Sequence, residues 1–264
     1  MDADKVIEMQ SVTTPTRSQA PRVLILGGTT EASEIAKRLA ARSDVTVISS
    51  LAGRVSQPRL PAGMVRVGGF GGVAGLISYL LNEKIEVVID ATHPFASKIS
   101  GNAELACNTL NIPLIAFERP PWKPQEQDLW RAVPDVQTAA SMSNHEGSRV
   151  FLSIGRQELG AFSDCIDAWF LVRAIDEPNE KLPANSKLIL KRGPFHLNNE
   201  LQMLRSECIS LIVSKNSGGT ATYPKIEAAR ALRIPVVMID RPLKHKIPTV
   251  ARPEDVLLKL AEFL

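Results

Sequence analysis

The segment RVLILGGTTEAS, Arg22 to Ser33, sets the strongest limit on the fold this chain can adopt. An apolar run of strand type leads straight into two glycines and two threonines, and helical spacing begins at once. Gly27 and Gly28 let the backbone turn tightly and approach a ligand closely. The N–H groups that open the following helix face whatever lies beyond the strand, and the helix dipole favours a negative charge there. This is how a βα unit builds a phosphate cradle, here from Gly27, Gly28, Thr29 and Thr30. A second apolar run ends at Ser49 and Ser50, about twenty residues on, where a site for NAD places an acid against the ribose 2′-hydroxyl. No acid closes this run, and Arg54 follows. Ser50, Gly53 and Arg54 are therefore read as a 2′-phosphate site, and the dinucleotide as NADPH. The turn departs from GxGxxG because Thr29 stands where the second glycine would be, while Ala32 keeps the third small position. Glu31 either caps backbone N–H groups or reaches a ribose hydroxyl.

Strand-type and helix-type segments alternate after this unit. Strands are expected at Arg22–Leu26, Val45–Ser49, Val65–Val67, Glu86–Asp90 and Pro113–Phe117, with helices over Thr30–Arg42, Gly72–Asn82 and Ala96–Leu110. RPPWKPQ, Arg119 to Gln125, carries three prolines and no period, and is read as the domain boundary. Strands are then expected at Arg149–Ser153, Ala168–Val172, Lys187–Lys191, Ser210–Val213 and Val236–Ile239. Helices are expected at Arg156–Ser163, Leu197–Ser206, Thr222–Arg233 and Pro253–Phe263. β-Branched strands alternating with helices specify mainly parallel sheets covered on both faces. The expected architecture is α/β with two Rossmann-like domains: a tail over 1–20, a dinucleotide domain over 21–120 and a second domain over 121–264. Trp122 and Trp130, near the boundary, are read as packing residues.

Composition excludes several classes. A net charge of +3 over 264 residues is too mild for nucleic acid, and aromatics at 5% leave little for base stacking. No run reaches transmembrane length and the first twenty residues lack a secretory signal, so a cytoplasmic protein without membrane contact is expected. Cys107, Cys165 and Cys208 lie far apart with no histidine at ligand spacing, which reads as buried thiols and no metal site. Subunit number is left open.

Ligands of such sheets collect beyond the carboxyl ends of the strands. The loops there are GGTTE, SSLAGR, GGFGG, DATHPFA, ERPP, SIGRQE, KRGPFH, SKNSGGT and DRP, rich in glycine, cations and hydroxyls. Two domains whose strand ends face each other would enclose a cleft with a basic lining. GGTTEA, SLAGR, DATHPFA, KNSGG and DRP, in this order and spacing, resemble the precorrin-6A reductase family of cobalamin biosynthesis, over Arg22 to Leu264. The resemblance implies two Rossmann-like domains with the active site between them. It also implies NADPH-dependent reduction of one ring double bond of precorrin-6A, a tetrapyrrole carrying acetate and propionate arms, to precorrin-6B. A cobalt-bearing homologous substrate exists, and the sequence does not choose between the two.

On that reading, Ala91 and Thr92 line the nicotinamide pocket. His93 contacts the nicotinamide or delivers a proton, for which Lys215 and an ordered water are the alternatives. Arg156, Lys191, Arg192 and Lys215, each beyond a strand of the second domain, would pair with substrate carboxylates. Asn216, Ser217 and Gly218 would form an anion nest beside them. Arg119 and Arg241 are either clasps across the cleft or plain loop residues. Two competing classes stay open: a two-domain nucleotide-sugar transferase, and a non-catalytic NADPH-binding sensor.

Overall fold

A computed structural model describes residues 20–145, 147–244 and 246–264 of the chain. The tail expected over 1–20 lies outside these residues except for Ala20. The first sheet is built from β1 (Arg22–Leu26), β2 (Thr46–Leu51), β3 (Met64–Val67), β4 (Ile85–Asp90) and β5 (Leu114–Phe117). The second is built from β6 (Trp130–Val133), β7 (Arg149–Ser153), β8 (Trp169–Ala174), β9 (Ser186–Leu190), β10 (Leu211–Lys215) and β11 (Val236–Ile239). A last short strand, β12 (Thr249–Val250), joins the first sheet. The strand orders are β12-β5-β4-β1-β2-β3 and β6-β11-β10-β7-β8-β9, and every pairing is parallel.

Both sheets need cover on both faces, which explains the unbroken apolar runs of their central strands. Val23, Leu24 and Ile25 of β1 and Val87, Val88 and Ile89 of β4 have no exposed surface. One face of the first sheet packs against α1 (Thr30–Ala40) and α7 (Pro253–Leu260), the other against α2 (Gly72–Asn82) and α3 (Ser97–Leu110). The second sheet is covered by α4 (Val136–Ser143) and a short 3₁₀ turn (Leu159–Phe162) on one face, and by α5 (Leu197–Ser206) and α6 (Pro224–Leu232) on the other. Buried Ala32, Ile35, Ala36 and Leu39 of α1 carry the apolar stripe expected for it.

The two sheets repeat one topology. Each begins at a central strand, β1 or β7, builds outward through two more, then returns to the other side of that strand with β4 or β10. The crevice beyond β1 and β4, and that beyond β7 and β10, are the two topological switch points. The outermost strands are exchanged in chain order: β6, just after the hinge, closes the second sheet, whereas β12 comes from the chain's end and closes the first. α7 follows β12 and packs on α1 and β5. This departs from the expected division at 121–264, since the last strand and helix belong to the first sheet.

Other departures are local. The helix expected at Arg156–Ser163 shrinks to the 3₁₀ turn, in a segment interrupted by Gly155 and Gly160. β6 and α4 were not expected; α4 is capped by Asp135, whose carboxylate accepts from the Thr138 N–H at 2.7 Å. Cys107 and Cys165 are buried, and burial pushes the Cys107 thiol up to about 12, but Cys208 is exposed.

Candidate active site

The first switch point has the shape of a cradle. The Gly27 N–H donates to the Ser50 carbonyl at 3.0 Å, locking the turn onto β2. Gly28 is exposed with φ +103°, and no atom lies within 4 Å of where a Cβ would stand, so a ligand has open space there. Thr29 caps α1: its hydroxyl oxygen accepts from the Ala32 N–H at 3.1 Å and donates to the Ala91 carbonyl at 2.8 Å. That hydroxyl is used internally, whereas Thr30 is exposed at the helix start. These features fit a dinucleotide pyrophosphate held by main chain.

The residues expected to hold a 2′-phosphate are not brought together. Arg54 reaches away from Ser50 and donates to the Gln157 side chain of the second sheet's SIGRQE loop, while its carbonyl accepts from Arg156. The guanidinium on Ser50 belongs to Arg66, which donates to Ser50 Oγ at 2.8 Å and to the carbonyls of Gly68 and Gly69. It stacks 3.8 Å over the Phe70 ring. The signal for Arg66 lay in the pairing of β3 with β2, which sets Arg66 opposite Ser50. Gly53, with φ +71°, packs against Val67 and Gly68 and shapes the turn.

At the end of β4, Asp90 and Lys244 form a buried pair at 3.5 Å, with side chains 0% and 1% exposed. Asp90 Oδ1 also accepts from the Thr92 N–H at 2.9 Å and the Thr92 hydroxyl at 2.6 Å, and the Lys244 ammonium donates to the Thr92 carbonyl at 3.3 Å. The Thr92 side chain is thus turned inward. Lys244 was not recognised from sequence. It lies in the connection from β11 to β12, where the chain crosses between the sheets, and fixes the DATHPFA loop from there.

His93 is the meeting point of the two switch points. Its Nδ1 accepts from the Phe95 N–H at 3.3 Å, which leaves the proton on Nε2, 3.2 Å from Ser217 Oγ. Its pKa is pushed down from 6.5 to about 3, first by burial and then by Arg119, Lys215, Arg241 and Lys244. The imidazole is therefore neutral and not an imidazolium acid. Each of the four cations has its own carboxylate: Arg119 pairs with Glu31, Lys215 with Glu158, Arg241 with Glu118 and Lys244 with Asp90.

Arg119 and Arg241 act as clasps. Arg119 donates to Glu31 at 2.6 Å and to the Ser217 carbonyl at 2.8 Å, joining the cradle to the KNSGG loop. Glu31 is thus paired with Arg119. Arg241 donates to the Asn216 carbonyl at 2.7 Å and the Arg119 carbonyl at 2.8 Å. Asn216 pins the Trp122 main chain through both its side-chain atoms. Gly218 has φ +67°, and a Cβ there would collide with the Pro120 carbonyl and the Arg241 guanidinium, so only glycine fits.

Of the cations expected to bind substrate, Lys215 lies at the cleft, with its ammonium 4.9 Å from the Phe95 ring. Arg156 and Arg192 sit farther along it, donating to the carbonyls of Arg54 and Gln57. Lys191 is not brought in; it lines a groove against α5 with Ile189 and Met203. Lys191→Ala is accordingly expected to leave macrocycle affinity within about twofold of the parent, in a titration read by fluorescence quenching. Among the described residues no group of three or more His, Cys, Asp or Glu could hold a metal, and no helix is long and apolar enough to cross a membrane.

Two parallel sheets whose switch points face each other, one with a phosphate-type cradle and the other with a basic loop cluster, define a two-domain Rossmann-like α/β protein. Residues 22–261 match the family described as Precorrin-6x reductase CbiJ/CobK, and the chain belongs to that family. It is 48% identical over 221 residues to Precorrin-6A reductase of Rhodococcus erythropolis, covering 84% of this chain and 89% of that one. Cobalt-precorrin-6A reductase of Methanothermobacter thermautotrophicus is 28% identical over 237 residues, 83% of this chain and 76% of that one. The solved structure of CobK precorrin-6A reductase superposes with a TM-score of 0.87 at 43% identity, covering 92% of this chain and 97% of that one. The protein is thus a reductase of cobalamin biosynthesis, which removes the transferase and sensor readings.

Proposed function

We propose that the protein reduces one ring double bond of metal-free precorrin-6A to give precorrin-6B, with NADPH as the reductant. The observation that carries this reading is the opposition of the Gly28 cradle and the Lys215 loop across His93 and Ser217. The metal-free substrate is favoured because relatives named for precorrin-6A are 44–48% identical, and those named for cobalt-precorrin-6A only 25–29%.

When bound, NADPH supplies the hydride, and the protein supplies placement and charge. The main chain of Gly28 and Thr30 would hold the pyrophosphate at the start of α1, with Gly27 shaping the turn beneath it. Ser50 and Arg66 would hold the 2′-phosphate, and Ala91 would border the nicotinamide. Lys215, Arg156 and Arg192 would fix acetate and propionate arms. Neutral His93 holds Ser217 through its Nε2–H and so sets the KNSGG loop. Of the two groups read as catalytic, Lys215 is the charged one, with its ammonium paired to Glu158.

Loss of NADPH absorbance only when precorrin-6A is also present tests the reading; absorbance that falls equally without the tetrapyrrole, or never falls, refutes it. The 2′-phosphate assignment has its own test. Arg66→Ala is expected to raise the Michaelis constant for NADPH by about tenfold or more, the worth of a charge-assisted phosphate contact, and to leave that for NADH nearly unchanged. Arg54→Ala should affect both coenzymes alike. Equal effects of Arg66→Ala on NADPH and NADH would remove Arg66 from the site.

A further inference from the structure

The Lys215 ammonium bears on both halves of the cleft. It sits 4.9 Å from the Phe95 ring of the DATHPFA loop, and Phe95 itself packs against the core of the second sheet. The lysine side chain is only 13% exposed, so its charge needs a partner in place. That partner is Glu158, just before the 3₁₀ turn at Leu159, whose side chain is 42% exposed although its Oε2 is buried against the ammonium. The pair is therefore lopsided. The cation is fixed and largely dry, whereas the carboxylate has water at its back and loses little by rotating outward.

We propose that Glu158 is a stand-in for a substrate carboxylate: it neutralises Lys215 before substrate enters and yields its place to one acid arm of the tetrapyrrole. The inference rests on the polycarboxylate reading of the site and adds a specificity device to it. The exchange conserves one ion pair, so Lys215 is never left bare. A ligand without a carboxylate at that point cannot drive the exchange, because evicting Glu158 would leave a largely buried ammonium unpaired. Glu158 thus acts as a positioning residue that sets a threshold for entry, and Lys215 is the group it guards.

Removing the internal carboxylate should then strengthen binding of an external one, and only while Lys215 is present. The probe is uroporphyrin, a tetrapyrrole octacarboxylate, followed by fluorescence quenching on the full chain, with its octamethyl ester as the uncharged control. Glu158→Gln is expected to tighten uroporphyrin binding by about five- to tenfold. It should leave the ester unchanged, and the gain should vanish in the Lys215→Met background. Equal or weaker binding by Glu158→Gln overturns the stand-in role while leaving the polycarboxylate reading intact. A gain that persists without Lys215 also overturns it, since it would then reflect only a general loss of negative charge. No binding of uroporphyrin by the parent or by either variant overturns the polycarboxylate reading and the stand-in with it.

Discussion

Lys244→Met is expected to destabilise the folded protein by about 3 kcal/mol, seen as a lower urea midpoint and a melting temperature lower by about 6–12 °C. The methionine fills nearly the same volume, so the loss comes from charge and not from a cavity. Asp90 is fully buried at the end of β4, and the Lys244 ammonium is a cationic partner at 3.5 Å. Without it, the carboxylate keeps the two Thr92 hydrogen bonds but loses a buried ammonium that helps offset its desolvation. Adding Asp90→Asn to Lys244→Met should recover a good part of the stability, because the amide can still accept from Thr92 and no longer demands a cation. A loss below about 1 kcal/mol, or no recovery in the double variant, would show that the pair contributes little. The cost should also appear in turnover. Lys244 reaches the DATHPFA loop from the β11–β12 connection, so its removal loosens the support of His93 and of the cleft together.

The parts of this fold legible in sequence are those governed by short-range chemistry. β7 and β11 have the bounds that their apolar runs predict, because a strand buried on both faces must be apolar throughout, and α5 has the bounds expected for its helix. Thr29 reads as a cap in either representation. What escaped is settled by partners distant in sequence. β6 has the half-exposed composition of an edge strand, so WRAV gives no period to read. The return of β12 and α7 to the first sheet depends on the vacant edge of β5, which nothing within 249–260 records. The site divides in the same way. The glycine turn and the KNSGG loop are local motifs, and the fold places both at the cleft. Arg66 became visible only through its register with Ser50, Lys244 through the crossover, and Glu158 through the meeting of SIGRQE with β10. Arg54 misled because nearness in sequence stood in for nearness in space.

His93 yields the second large effect, through pH. In the unfolded chain its imidazole takes up a proton near pH 6.5; in the native protein this is pushed down to about 3 by burial and by the field of Arg119, Lys215, Arg241 and Lys244. Between these values the unfolded state binds a proton that the native state refuses, so stability rises with pH through that window. The contribution is whole above about pH 6.5 and is lost as pH falls toward 3. Because the ring is half-buried and partly screened, the loss is expected at about 2–4 kcal/mol. Its measure is the difference between parent and His93→Asn in urea unfolding: their free energies should converge by at least about 2 kcal/mol between pH 7 and pH 4. Parallel curves would mean that the native imidazole titrates normally. Kinetics give an independent reading of the same field. If His93 is neutral throughout, kcat/KM between pH 5 and 8 should show no limb that disappears in His93→Asn. A limb near pH 6.5 that vanishes with the histidine would instead make it the acid of the reaction.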